Sequence, residues 1–88
     1  MTIWKFLIDT TDMQEIEMPE GAEILTVQLQ HGKPCLWAIV NPEAACRQNR
    51  RIETFGTGHL MSEQARRYVG SYQLYGGDLV FHVFEAIN

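Results

Sequence analysis

Apolar and polar residues alternate with a period close to two along almost the whole chain, the pattern of half-buried strands rather than helices. Trp4, Phe6 and Ile8 alternate with Lys5, Leu7 and Asp9 and predict a first strand. Thr10-Thr11-Asp12 predicts a turn. Ile16 and Met18 then alternate with Glu15 and Glu17 until Pro19-Glu20-Gly21 breaks the pattern. Glu23 to Val40 predicts a hairpin turning at His31-Gly32, with Lys33-Pro34 able to lengthen the loop. That register sets Val27 opposite Leu36, Leu25 opposite Ala38 and Thr26 opposite Trp37. Leu25, Val27 and Leu29 then share one apolar face directed at a core.

A second hairpin is written more plainly. Tyr68 to Glu85 reads as two strands joined by Gly76-Gly77, a pair that enters positive φ without steric cost and suits a two-residue turn. Its register places Leu74 opposite Leu79, Tyr72 opposite Phe81, Gly70 opposite Val83, Ser71 opposite His82 and Val69 opposite Phe84. Both faces carry large apolar groups, so Leu79 to Phe84 is expected to be a central strand. Between the hairpins, Asn41-Pro42-Glu43-Ala44-Ala45 has the grammar of a helix start. Few apolar residues follow, which limits it to one turn or an irregular loop, with Glu43 to Arg50 as a loop. Arg51 to Thr57 predicts a short strand anchored by Ile52 and Phe55 and ended by Gly56-Thr57-Gly58; Ser62 to Ala65 predicts another helical turn. The sum is a mainly β chain: a small antiparallel β-sandwich or partly open barrel of six to seven short strands, with at most one or two helical turns. Residues 1–88 suffice for one domain and one core of two layers.

Charge narrows the partners. A net charge of −4 argues against general nucleic-acid binding, which draws its affinity from counterion release by Lys and Arg. The arginines nevertheless cluster, as Arg47, Arg50 and Arg51 and again as Arg66 and Arg67. The apolar N-terminus is interrupted by Lys5 and closed by Asp9, so neither a signal core nor a membrane span is expected, and the cytosol is the predicted compartment. Cys35 and Cys46 are too few and too widely spaced for a zinc site, and in a reducing compartment they are free thiols. His31, His59 and His82 fall on different predicted elements. No metal and no cofactor is expected.

Candidate chemistry centres on Gly56, Thr57, Gly58 and His59. Two glycines around a threonine expose backbone N–H groups that can cradle an anion, and the histidine adds a proton or a hydrogen bond near neutral pH. The bland alternative is a β-turn with an exposed histidine. His82, opposite Ser71 and beside Gln73, forms a polar spot able to orient a small ligand, or a histidine simply satisfied by that serine. Trp37, Tyr68, Tyr72, Tyr75 and Phe81 could build a stacking platform for a base, with arginines such as Arg66 meeting a phosphate. The same aromatics serve equally as core, or as surface covered by a second subunit. Ser62 and Ser71 lack the strand–elbow–helix setting of a hydrolase nucleophile, so no catalytic set is assigned.

The segments Ile16 to Ala22 (Ile-Glu-Met-Pro-Glu-Gly-Ala), Leu25 to Gln30, Pro34 to Ala38, Arg51 to His59 and Tyr68 to Glu85 together resemble a family of small proteins from tailed bacteriophages and prophages. The resemblance spans nearly the whole chain, the part from Glu43 to Arg50 excepted. No activity comes with that family, so no catalytic or binding residue is carried over. What the resemblance implies is a phage accessory protein acting in the cytoplasm of a bacterial host. The expected function is a non-enzymatic binding module, homo-oligomeric, for a host protein or a small-molecule ligand, with counter-defence as one version. The alternatives are a small enzyme using His59 as acid/base on a phosphorylated metabolite, and a minor virion component.

Overall fold

The computed structural model describes residues 1–87. It contains seven strands: β1 (Thr2–Leu7), β2 (Met13–Pro19), β3 (Glu23–Gln30), β4 (Lys33–Val40), β5 (Arg47–Gly56), β6 (Arg66–Leu74) and β7 (Leu79–Ala86). They form two antiparallel sheets, ordered β1-β4-β3 and β2-β5-β7-β6, with a single turn of 3₁₀ helix at Tyr75–Gly77. The sheets share one core. Leu36, Ala38 and Val40 of β4, Val27 of β3, Met18 of β2, Ile52 of β5, Tyr72 of β6 and Val83 of β7 are all buried in it. Each fully buried aliphatic side chain of this set is worth about 1.5–3 kcal/mol, so these few positions hold the two layers together.

The sandwich closes along one side, where β3 and β6 run so near each other that a Cβ on Gly70 would stand 3.0 Å from Cγ1 of Val27. A side chain there would press on Val27, which would have to give by a few tenths of an ångström. On the other side β1 and β2 share no ladder and are joined by the turn 8–12. There the Arg47 guanidinium lies over the Trp4 ring at 5.9 Å, an amphipathic cover for an aromatic that β1 leaves half-buried.

Both predicted turns hold. His31 and Gly32 have φ of 53° and 77°, and Gly76 and Gly77 have φ of 67° and 97°, the mirror-image conformation that matches strand twist. Lys33 and Pro34 belong to β4 and do not lengthen the loop. Two registers depart from expectation at bulges. Ile24, not Leu25, faces Ala38, and Tyr68, not Val69, faces Phe84. The extra residue turns Leu25 outward to 40% exposure, and the uniform apolar face expected of β3 is broken.

Other expectations are corrected. The segment read as a loop up to Arg50 is strand from Arg47 onward, pairing with β2 down to Pro19. Asn41 does cap, its Oδ1 accepting from the Glu43 amide at 3.1 Å, but the turn closes at Ala44 and no helix follows. Ser62 to Ala65 is not helical either. Ile52 and Phe55 cannot both face the core, since they lie on opposite sides of one strand. Ile52 is inside; Phe55 packs on the outer face against Phe84, 6.0 Å between ring centres.

One topological feature positions everything that follows. β5 and β6 both pair antiparallel with β7, so they run parallel to each other with β7 between them. Residues 57–65 must therefore cross over β7. Arg66 anchors that crossover: its guanidinium donates to the Ser62 carbonyl at 2.7 Å and to Glu53 Oε1 at 2.6 Å, and it stacks on Phe55 at 5.0 Å.

Candidate functional site

The start of the crossover brings three distant pieces of chain together. β5 ends at Gly56, the turn Thr10-Thr11-Asp12 lies beside it, and β7 begins next to it, with Gly56 paired to Phe81. The Asp12 carbonyl accepts the Thr54 amide at 3.1 Å, which fastens the first turn to β5. Between these pieces is a cavity of about 80 Å³ lined by Thr10, Thr11, Asp12, Thr54, Gly56, His59 and Phe81. Gly56, His59 and Phe81 also line a groove of about 360 Å³ that continues along Asp78, Leu79 and Val80.

His59 stands where the two spaces meet. A Cβ on Gly56 would come within 2.9 Å of its Cε1, so the imidazole rests on the bare backbone of that glycine. The turn that places it is closed by the His59 amide donating to the Gly56 carbonyl at 3.0 Å and needs Gly58 at φ 88°. Thr54 alternates in phase with Ile52 and so points inward, with only 4% of its surface exposed. Its hydroxyl has no hydrogen-bond partner in the protein. A buried hydroxyl left unpaired costs about 1–3 kcal/mol, and the residue that carries this one is among those lining the cavity. Below it the Thr10 and Tyr72 hydroxyls share a hydrogen bond of 2.7 Å. Burial pushes the Tyr72 phenol above its ordinary pKa, and the bond to Thr10 offsets part of that.

The structure divides the residues singled out in the sequence. Gly56 and His59 form the cavity, Gly58 shapes its turn, and Tyr72 touches it through Thr10. Thr57 lines the groove as well, while its Oγ1 lies 2.7 Å from His82 Nε2 on the outer face of the second sheet. His82 Nδ1 meets Ser71 Oγ at 2.9 Å, and Ser71 meets the Tyr68 hydroxyl at 2.7 Å. That chain ties β6, β7 and the crossover to one another. Both imidazole nitrogens face hydroxyls and neither faces a carboxylate, so the serine–histidine contact lacks the orienting acid of a hydrolase triad. Gln73 is exposed at the sheet edge beside Gly77, Trp37 is half-buried on the outer face of the first sheet, and Arg66 is committed to Glu53.

Two expected constellations do not form. Trp37, Tyr68, Tyr72, Tyr75 and Phe81 make no common platform. Tyr72 and Phe81 stack in the interior at 5.6 Å, Tyr68 packs on Phe84 outside, and Tyr75 sits at a hairpin tip. The Gly56–Gly58 loop is no anion cradle either, because the Thr57 amide donates to the Val80 carbonyl and the His59 amide to Gly56. Of the arginines, Arg50 is committed, donating to Glu85 and to the Ala22 carbonyl, while Arg67, 3.5 Å from Glu85, and Arg51, 3.4 Å from Glu53, stay largely exposed. Among the described residues, no three His, Cys, Asp or Glu side chains converge to hold a metal, and no helix is long and apolar enough to cross a membrane.

Sequence reasoning missed Thr10, Asp12, Thr54 and Asp78. One signal was available for Thr54: a polar residue in phase with Ile52 and Gly56, at a position where the alternation calls for an apolar side chain.

Fold and cavity together define a small all-β domain of two antiparallel sheets, with a recess built from one inter-sheet turn, the end of β5 and the start of β7. The chain belongs to the family described as a domain of unknown function, DUF7352, whose model matches residues 1–88. No curated protein and no solved structure matches it.

Proposed function

We propose that this chain is a non-enzymatic binding module that holds a small molecule at the recess around His59. The single observation that carries the reading is the recess itself, where the Gly56 backbone, bare of a side chain, seats the His59 ring between a cavity that Asp12 and Thr54 also line and a more apolar groove. The adjoining groove, at about 360 Å³, falls at the lower end of the range for small-molecule sites and supplies apolar wall from Leu79, Val80 and Phe81. A binding role is favoured over the phosphorylated-substrate reaction because neither space is lined by Lys or Arg, while both have an aspartate. The phage resemblance supplies the proposed setting, a bacterial cytoplasm during infection.

The test uses Gly56→Ala, which places a methyl within 2.9 Å of the His59 ring and displaces the imidazole from its seat beside the recess. Wild-type protein and this variant are each incubated with the small-molecule fraction of a bacterial lysate and recovered by ultrafiltration, and the retained species are read by mass spectrometry. The wild type is expected to retain a species that the variant loses. Equal retention by both, or none by either, would overturn the proposal.

A further inference from the structure

We infer that a notch beside the end of β7 is a second site, one that takes a phosphate monoester by its phosphate group. Strand geometry makes the notch. β5 starts at Arg47, yet its ladder with β7 starts only at Ile52, opposite Glu85. From Arg47 to Arg50 it pairs, among the described residues, with β2 alone. Main-chain N–H groups along a strand alternate between its two neighbours. Thr57 donates to Val80 on the β7 side and Thr54 to Asp12 on the β2 side. The register of β5 is unbroken, so the Asn49 amide is turned toward the notch. The space there is about 460 Å³, and Arg50, Arg51 and Arg67 all line it. None of its lining residues lines the recess at His59.

Charge fixes the class of ligand. Two buried carboxylates here hold four guanidiniums: Arg50 and Arg67 share Glu85, and Arg66 and Arg51 share Glu53. One arginine of each trio is buried and tightly bonded, Arg50 to Glu85 and Arg66 to Glu53. The other is loose. Arg67 is 63% exposed and Arg51 46% exposed, and both border the notch. Glu15, opposite Arg51 on β2, also lines it and offsets one of the two surplus charges. A positive charge remains, in a chain whose net charge is −4. The donors agree. A guanidinium has five N–H groups, and Arg50 directs two at Glu85 and one at the Ala22 carbonyl, leaving two. Both Glu85 oxygens receive those bonds, so that carboxylate is already occupied. Arg51, Arg67 and the Asn49 amide add donors from two strands with β7 between them. A planar carboxylate matches one guanidinium fork, whereas a phosphate presents three oxygens and up to two charges to several at once. The volume exceeds a bare phosphate and falls within the range of small-molecule sites, which leaves room for the body of an ester.

The experiment titrates ¹⁵N-labelled protein with glycerol 3-phosphate, inorganic phosphate and sodium acetate, all at one ionic strength so that screening is constant. Glycerol 3-phosphate and phosphate are expected to shift the amides of Asn49, Arg51 and Arg67 saturably, and acetate to leave them unmoved. Arg51→Gln and Arg67→Gln alter exposed side chains, should keep the spectrum of the fold, and should each weaken glycerol 3-phosphate about tenfold, as loss of a charged hydrogen-bond partner does. Arg47→Gln removes the same charge from a residue that lies over Trp4 and does not line the notch, and should leave binding unchanged. Equal weakening in Arg47→Gln would show diffuse attraction in place of a site, and would overturn the inference. Acetate binding as tightly as phosphate at these amides would reduce the notch to a carboxylate fork and overturn the phosphate assignment. Phosphate bound with glycerol 3-phosphate excluded would overturn the ester. Silence from all three probes, or shifts confined to the recess at His59, would end the inference.

Discussion

A buried hydroxyl with no partner costs about 1–3 kcal/mol, and Thr54 carries that cost in the middle of β5. Thr54→Val has nearly the same shape, suits a strand and removes the orphan oxygen. The ligand-free variant should gain about 1 kcal/mol, a rise in Tm of about 4–8 °C for a domain of this size. Thermal denaturation followed by circular dichroism would read it. A fall in Tm would mean that the hydroxyl contributes to the fold. Gly77→Val should behave in the opposite way. Gly77 has φ 97°, which a β-branched residue adopts at a cost of about 1–3 kcal/mol, so Tm should drop by roughly 4–24 °C. Single residues of these two kinds are unequally legible in a sequence. A Gly-Gly pair between strands announces its backbone, because only glycine is cheap there. Thr54 announces nothing beyond a phase, since whether a hydroxyl finds a partner depends on Asp12 and His59, which only folding brings near.

At the scale of elements, the antiparallel ladders were readable wherever apolar residues alternate, and unreadable where strands carry charge. β5 begins with Arg47, Gln48, Asn49 and Arg50, a string with the look of a loop. Arg50 sits in a strand because Glu85, thirty-five positions away, receives two of its N–H groups, the longer bond at 3.2 Å. Both side chains are buried, at 14% and 8% exposure, and an ion pair of that kind resists losing one member far more than losing both. Arg50→Met should cost about 3–5 kcal/mol, while the double variant Arg50→Met/Glu85→Met should recover most of the loss; urea denaturation of the three proteins measures it. If the double variant is no more stable than the single one, the pair is not what makes Arg50 matter. β6 contributes a pH dependence through Tyr72. Its phenol is raised above the ordinary value near 10, so the folded state holds that proton more tightly than the unfolded state. The stability it confers is fully present below pH 10 and is lost as pH rises through the folded-state pKa. Tyr72→Phe should abolish that alkaline loss, seen by comparing urea midpoints across the alkaline limb. A slope unchanged in Tyr72→Phe would assign it to other groups.

The whole molecule has an asymmetry between its two outer faces that no single strand reveals. The outer face of the second sheet is crossed by residues 57–65 and laced by the chain from Tyr68 to Thr57. On the outer face of the first sheet no segment is anchored in this way. There Ile3 lies opposite Ile39 and Leu7 opposite Cys35, while Lys5, opposite Trp37, stands between them and donates to Gln30 Oε1 across β4 at 2.7 Å, so an apolar stripe runs along the sheet with one charged residue bridging its middle. Ile3 and Leu7 are 58% and 62% exposed at its border. We propose that a second copy would cover that stripe, because a two-fold contact presents the same patch from both sides and buries both at once. None of these residues lines the recess at His59, so association and ligand binding should be independent. The double variant Ile3→Lys/Leu7→Lys changes only outward side chains and should keep the fold and the retained small molecule. Sedimentation equilibrium should find the wild type associating with rising concentration and the variant monomeric throughout. Monomeric wild type at high micromolar concentration would reject the second copy and leave the stripe as ordinary surface. A variant that lost both association and ligand would instead show that the recess is completed by the contact, and would tie the two proposals into one.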